Sequence, residues 1–322
     1  MNATLRLTSG HDDIARAAEL LAAGQLVAFP SETVYGLGGD ARNDAAVAGI
    51  YAAKGRPSHN PLIIHLPDLA AAERYGIFDD QARALAVAFW PGPLTLVVPL
   101  RPDAGLSPRI TAGHDRVAIR VPAHPVMLDL LRSCRLPLAG PSANPSGRIS
   151  PTTADHVLDG LSGRIAAVID GGPCAVGVES TIIAPSSDPD RPAELLRPGG
   201  LPIEALELVL GHAPVRPGDA ARPVAPGQLT SHYAPDALVR LQADSPRPGE
   251  IWIGFGPGCA GAHLSLSPAG DPTEAATRLF ATLRAADALA GPGGHIAIAP
   301  VPDSGLGLAI NDRLRRAAAP RD

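Results

Sequence analysis

The chain has almost no lysine. Of its 322 residues, 27 are Lys or Arg, and Lys54 is the one that is not arginine. That exception needs a reason, because a compact ammonium meets a phosphate oxygen as a point charge where a planar guanidinium fork does not. Aromatic residues make up only 3%, the net charge is −5 and the pI is near 6.0. A broad basic surface or a stacking platform for nucleic acid is therefore not expected, although a small basic pocket is allowed. The three cysteines, Cys134, Cys174 and Cys259, are far apart with no CxxC spacing. That argues against a disulfide framework or a zinc site and fits a reducing compartment. No apolar run approaches the ~18 residues that span a bilayer. The first residues carry Asp12, Asp13 and Glu19 instead of a signal-type core. A soluble, cytoplasmic protein without a membrane partner is expected. The GxxxxGK phosphate loop, the GxSxG elbow and HExxH are also missing, which disfavours standard NTPases, hydrolases and zinc proteases.

What the chain does have is 45% hydrophobic residues, with 35 prolines and 34 glycines scattered along its length. Such scatter implies many sharp turns between compact elements. The length suggests two domains. The change in texture between His212 and Pro235, with five prolines and few large apolar residues, divides the chain into 1–211, a linker at 212–235, and 236–322.

The stretch from Phe29 to His65 carries the first chemistry. A helix is expected at 12–23 and a short buried strand at 25–29. After Pro30 come the polar turn Ser31-Glu32-Thr33 and the glycine-rich YGLGG, read as a loop past a strand end. Ligands bind at such places in open α/β sheets, though an ordinary strand-to-helix turn has the same signature. Asn43 or Asp44 should cap a helix ending at Lys54, which falls seven residues after Val47 and so on the inward face. Gly55 stops the helix, and Arg56 follows. Lys54, Arg56 and Asn60 read as an anion-binding cluster; a lysine complementing the helix dipole is the plainer alternative. His65 lies in the expected strand 61–66, as a core histidine or a ligand contact. In RVAIRVP (116–122), alternation sets Arg120 opposite Val117, Ile119 and Val121, free to meet a carboxylate or to be solvated.

A second chemical loop runs from Pro141 to Ser150, where Ser142, Asn144, Ser146 and Ser150 sit beside a strand end in a backbone stiffened by proline. Hydroxyl and amide groups there suit phosphate or ribose, and they are equally plain turn formers. Glu179, Ser180 and Thr181 stand where a loop enters a strand, and a short strand at 194–197 ends in Arg197. Tyr233, one of only four tyrosines, and His232 punctuate an otherwise featureless linker. Beyond it, strands and helices at 272–290 and 308–318 make a small α/β unit, in which GFGPG (254–258) reads as a turn.

Together these blocks resemble the YrdC/Sua family of threonylcarbamoyl-AMP synthases. The family's lysine-x-arginine and serine-x-asparagine pattern is matched by Lys54-Gly-Arg56 and Ser142-Ala-Asn144. SETVYGLG, KGRPxxNPL, FWPGPLT, PSANPSG, VESTI and LLRPG follow in family order, while SHYAP and GLGLAINDRL resemble the longer, two-domain members. The resemblance implies an α/β fold, with a twisted mixed sheet and helices as the catalytic domain and a small Rossmann-like α/β domain after it. It implies a nucleotidyltransferase that uses L-threonine, bicarbonate or carbon dioxide, and ATP with Mg2+, and releases pyrophosphate. The product would pass to a tRNA threonylcarbamoyl transferase complex. Carried over by position, Thr33, His65, Arg120 and Ser180 would contact threonine. Arg56, Asn60, Ser142, Asn144, Ser150, Arg197 and Tyr233 would contact ATP, with Lys54 by the phosphates. No protein-held metal is implied. An RNA-binding or regulatory module on the same fold is the alternative.

Overall fold

The structure is a computed structural model that describes residues 3–186, 188, 191–216 and 232–320. Most of the expected proline-rich linker, 217–231, lies outside the described residues.

In chain order the first part comprises Leu5–Leu7 (β1), His11–Ala22 (α1), Val27–Phe29 (β2), Gly36–Asp40 (β3), Asp44–Lys54 (α2), Ile63–His65 (β4), Leu69–Ala72 (α3) and Asp80–Phe89 (α4). It continues with Leu94–Pro99 (β5), Arg116–Arg120 (β6), Pro125–Cys134 (α5), Leu138–Ala139 (β7), Ala154–Leu161 (α6), Ala167–Ile169 (β8), Thr181–Ala184 (β9), Glu194–Arg197 (β10) and Ile203–Leu210 (α7). These ten strands form one mixed sheet in the order β1-β8-β2-β3-β7-β4-β6-β5-β9-β10. The later elements are Leu238–Arg240 (β11), Glu250–Phe255 (β12), Leu264–Ser267 (β13), Pro272–Ala290 (α8), His295–Ile298 (β14) and Leu306–Ala317 (α9). Their strands form a parallel sheet, β11-β14-β12-β13.

The glycine-rich stretch is a strand, contrary to the loop reading. β3 pairs antiparallel with β2, setting Gly36 opposite Phe29 and Gly38 opposite Val27. A Cβ on Gly36 would come within 2.4 Å of the Phe29 ring, and one on Gly38 within 2.9 Å of the Val27 carbonyl oxygen. The glycines are therefore there to let a phenyl ring lie flat across the neighbouring strand. α2 forms as its sequence dictates. The Asn43 side chain accepts from the Ala45 and Ala46 amides, a cap worth about 1 kcal/mol, and Gly55 closes the helix in the left-handed region at φ 61°. Val47 and Ile50 are fully buried, and Lys54 on the same side is only 3% exposed.

The two sheets are not independent. One apolar cluster joins Val34, Ile149, Val178 and Tyr233 to Phe280 and Leu283 of α8 and Ile310 and Leu314 of α9. α8 comes so near that a Cβ on Gly177 would lie 2.4 Å from the Ala276 carbonyl oxygen. This contact brings the later elements over the loops that carry the site.

Candidate active site

Two strand ends and two loops converge on a small cavity of about 50 Å³. Thr33, Arg56, His65, Arg120, Ser142, Ser180, Arg197 and Tyr233 all line it, so eight of the twelve sequence-derived site residues meet there. Lys54, Asn60, Asn144 and Ser150 stand one contact behind its wall.

Part of the wall is built on the turn after β2. The Ser31 hydroxyl donates to the Val34 carbonyl oxygen at 2.6 Å and accepts from the Thr33 and Val34 amides, which fixes the turn locally. Arg120, at the end of β6, reaches into it. Its guanidinium donates to Thr33 Oγ1 at 2.8 Å, to Glu32 Oε1 at 2.6 Å and to the Gly92 carbonyl oxygen at 3.2 Å. Arg120 is 4% exposed, so the solvated reading of this residue fails. The face it shares with Ala118 also carries Ile63, Val97 and Ile182 from neighbouring strands, all of them buried, so both faces of the sheet are interior here. Burial pushes the Glu32 carboxyl up, but the Arg120 charge and hydrogen bond together hold it below its ordinary value. His65 packs edge-on to Phe29, with ring centres 5.6 Å apart. Burial and the Arg120 charge push its pKa down to about 3, so the ring is neutral.

β10 presents Arg197 to the same cavity. Its guanidinium donates to the Ser180 carbonyl oxygen at 2.9 Å and to Ser180 Oγ at 3.2 Å, while Thr95 Oγ1 lies 2.7 Å from the same hydroxyl. The tight turn after α2 aims Lys54 and Arg56 close together, as expected, but each is held by backbone oxygens. Lys54 Nζ donates to the Ser142 and Asn144 carbonyls, both at 2.5 Å, and Arg56 donates to those of Asn60 and Pro61. Burial, and then the Arg56 charge, draw the Lys54 pKa well below its ordinary value. Burial also lowers Arg56, to about 10. Asn144 donates to the Pro145 and Arg148 carbonyls, which folds the 141–150 loop back on itself.

Tyr233 closes the cavity. Its ring stacks on Phe280 at 5.4 Å with Arg313 5.6 Å over it, and His232 meets it edge-on. It holds φ 61°, a left-handed conformation costly for a bulky residue. Sequence reasoning passed over His232, Glu179 and Arg313 as site members. His232 stands beside Tyr233 in SHYAP, Glu179 is the second residue of VESTI and Arg313 is in GLGLAINDRL, so each lies inside a family-like block. Several polar atoms around this cavity are buried with no partner: Glu32 Oε2, both side-chain ends of Asn60, His65 Nδ1, Asn144 Oδ1, His232 Nδ1 and Arg313 Nη2. Unpaired buried groups are costly, which makes these atoms candidates for ligand contacts; His124 Nδ1 and Arg284 Nε are unpaired as well. A larger open cleft of about 730 Å³ behind the loop, between Arg148 and α8, contains none of the expected site residues. Its Arg148 is paired with Asp236.

Comparison with known proteins identifies the family. A Sua5/YciO/YrdC family model, described as "Telomere recombination", matches residues 19–199. The chain belongs to the Sua5/YciO/YrdC family. A second family model, "Threonylcarbamoyl-AMP synthase, C-terminal domain", matches residues 201–319, so the Sua5-type extension is present too. Threonylcarbamoyl-AMP synthase of Bacillus subtilis is 43% identical, over 100% of this chain and 97% of the relative. The Pyrococcus abyssi protein of the same name is 41% identical, over 95% and 94%. The crystal structure of P. abyssi Sua5 complexed with L-threonine superposes with a TM-score of 0.87 at 38% identity, covering 98% of each chain. In this Sua5-type chain, as in that neighbour, a large mixed sheet is followed by a second, smaller one.

Proposed function

We propose that the chain condenses L-threonine, bicarbonate and ATP to L-threonylcarbamoyl-AMP, pyrophosphate and water, for the threonylcarbamoyladenosine modification of tRNA. The names of the relatives support this reading. So does the observation that carries it: one small cavity lined by three buried guanidiniums, those of Arg120, Arg56 and Arg197. Two anionic partners, an amino acid carboxylate and a triphosphate, thus each find a guanidinium.

The Arg120 fork suits the threonine carboxylate, exchanging its present bond to Thr33 or Glu32 for it. Thr33 and Ser180 offer hydroxyls to the rest of the amino acid, and neutral His65 offers an unprotonated ring nitrogen. The threonine amine becomes a carbamate. A carbamate oxygen then attacks the α-phosphorus as the bond to pyrophosphate breaks, a reaction governed by positioning and charge compensation. Arg56 and Arg197 supply that charge. Lys54 holds the Ser142–Asn144 loop against it, and Asn60, Ser150 and Tyr233 complete the nucleotide side. Nucleotide pockets need several hundred Å³, so the cavity must widen for ATP to enter.

Among the described residues there is no group of three His, Cys, Asp or Glu able to hold a metal ion. We assign Mg2+ to the triphosphate itself, held by phosphate and water, where it would offset charge. The domain limits proposed are 1–211 and 236–322. No helix among the described residues is long and apolar enough to cross a membrane; we place the activity in the cytoplasm, with the product handed to a tRNA threonylcarbamoyl transferase. The RNA-binding alternative gains no support from a net charge of −5. Pyrophosphate release by the purified protein tests the reading. Release should require both threonine and bicarbonate, and release indifferent to threonine would overturn it.

A further inference from the structure

Arg313 lies on α9, the last helix, and its side chain is completely buried. Its Nε donates to Glu179 Oε2 at 2.9 Å, and its Nη1 to the Pro198 carbonyl oxygen at 2.6 Å and to Asp312. The other oxygen of Glu179 accepts from the Ser150 hydroxyl at 2.6 Å. The face of the same guanidinium covers the Tyr233 ring. An ion pair of this depth is not explained by stability, since apolar residues of similar size commonly do as well. Its Nη2 is also left without a partner, a further cost.

We propose that Arg313 is a positioning residue of the nucleotide site: it cancels the charge of Glu179, so that the group at 179 holds the Ser150 hydroxyl beside an incoming nucleotide without repelling its phosphates. This rests on the reading of that side as the ATP site. Glu179 lines the cavity together with Ser180 and Arg197, and an uncompensated carboxylate there would repel a triphosphate. With its proton committed to Glu179, Ser150 Oγ presents only lone pairs. It therefore accepts from a nucleotide donor, a ribose hydroxyl or the adenine amine, and does not donate to a phosphate oxygen. The second sheet and its helices thus act at the reaction site through a salt bridge between residues 134 apart in sequence.

The groups facing Glu179 are Arg313 and Asp312 from α9, Arg197 from β10, Ser150 from the loop, and His232 and Tyr233. Burial raises the Glu179 pKa, and the Arg313 and Arg197 charges, with the Ser150 bond, bring it below its ordinary value. Removing Arg313 lets burial prevail, so Glu179 would take up a proton at higher pH.

The test is binding of α,β-methylene ATP by calorimetry to wild type, R313K, R313Q and R313Q/E179Q, with thermal unfolding run alongside. R313Q should bind about tenfold more weakly at neutral pH, a loss of the size expected for an uncompensated charge. That loss should shrink as pH falls and Glu179 protonates. R313K should lie between R313Q and wild type. The double variant should return to within about threefold of wild type, because no unpaired carboxylate remains. Recovery in the double variant is something a purely structural arginine would not give. If R313Q does not fold, the double variant, which buries no lone charge, decides the matter. Binding by the double variant tenfold or more below wild type, or wild-type binding by R313Q, overturns the proposal. A wild-type chain that binds no nucleotide overturns it together with the proposed function. A wild-type chain that binds nucleotide but releases no pyrophosphate with threonine overturns only the function.

Discussion

Lys54 Nζ stands 2.5 Å from the carbonyl oxygen of Ser142, and the same ammonium reaches Asn144. The sole lysine therefore ties the end of α2 to the second chemical loop. Lys54→Ala should leave the Asn144 carbonyl without a donor and the Ser142 carbonyl with only the Asn144 amide, costing about 2 kcal/mol of stability. It should also lower pyrophosphate release by about a hundredfold or more. Lys54→Arg should not restore turnover, since a planar fork does not fit where a tetrahedral ammonium bridges two carbonyls. Turnover and thermal unfolding of both variants check this, and wild-type turnover in the arginine variant would contradict it.

Arg120 already spends its fork on Glu32 and Thr33. Arg120→Lys keeps the charge but loses the second donor plane, so the threonine KM should rise by about tenfold or more while the ATP KM stays within about twofold. Steady-state kinetics with each substrate varied in turn decides it. A rise confined to ATP would move Arg120 to the other half of the site.

Stability should fall on the acid side in a defined window. His65 and His232 both have pKa values pushed down to about 3 from the ordinary 6.5, chiefly by burial. Between those values the unfolded chain binds protons that the folded chain refuses, so this contribution is complete above about pH 6.5 and is lost as pH falls toward 3. Glu32 and Glu179, held below their ordinary 4.5, extend the loss in the same direction. Denaturant unfolding across this range should show declining stability with acidification. Replacing His65 by Gln should flatten the slope. Stability that increased on acidification would contradict the account.

The parts of this fold that were legible in the sequence are those decided locally. The Asn43 cap, the Gly55 stop and the inward place of Lys54 depend on neighbours within a few residues. β3 was misread because glycine is a turn signal until the ring of Phe29 is known to lie against it. Alternation put Arg120 on the correct face, but it could not say that this face was also interior. β1, α6 and β13 were not anticipated. Of the site, the cations and hydroxyls announced themselves by residue type. Their partners did not, because Glu32 meets Arg120 across 88 positions and Glu179 meets Arg313 across 134.

Mass spectrometry of the products of a single reaction tests the central claim most directly. With ATP, L-threonine and isotopically labelled bicarbonate, the protein should yield an adenylate with the mass of threonylcarbamoyl-AMP, carrying the labelled carbon in its carbamoyl group. Pyrophosphate formed without that labelled species, or an adenylate lacking either threonine or the label, would contradict it.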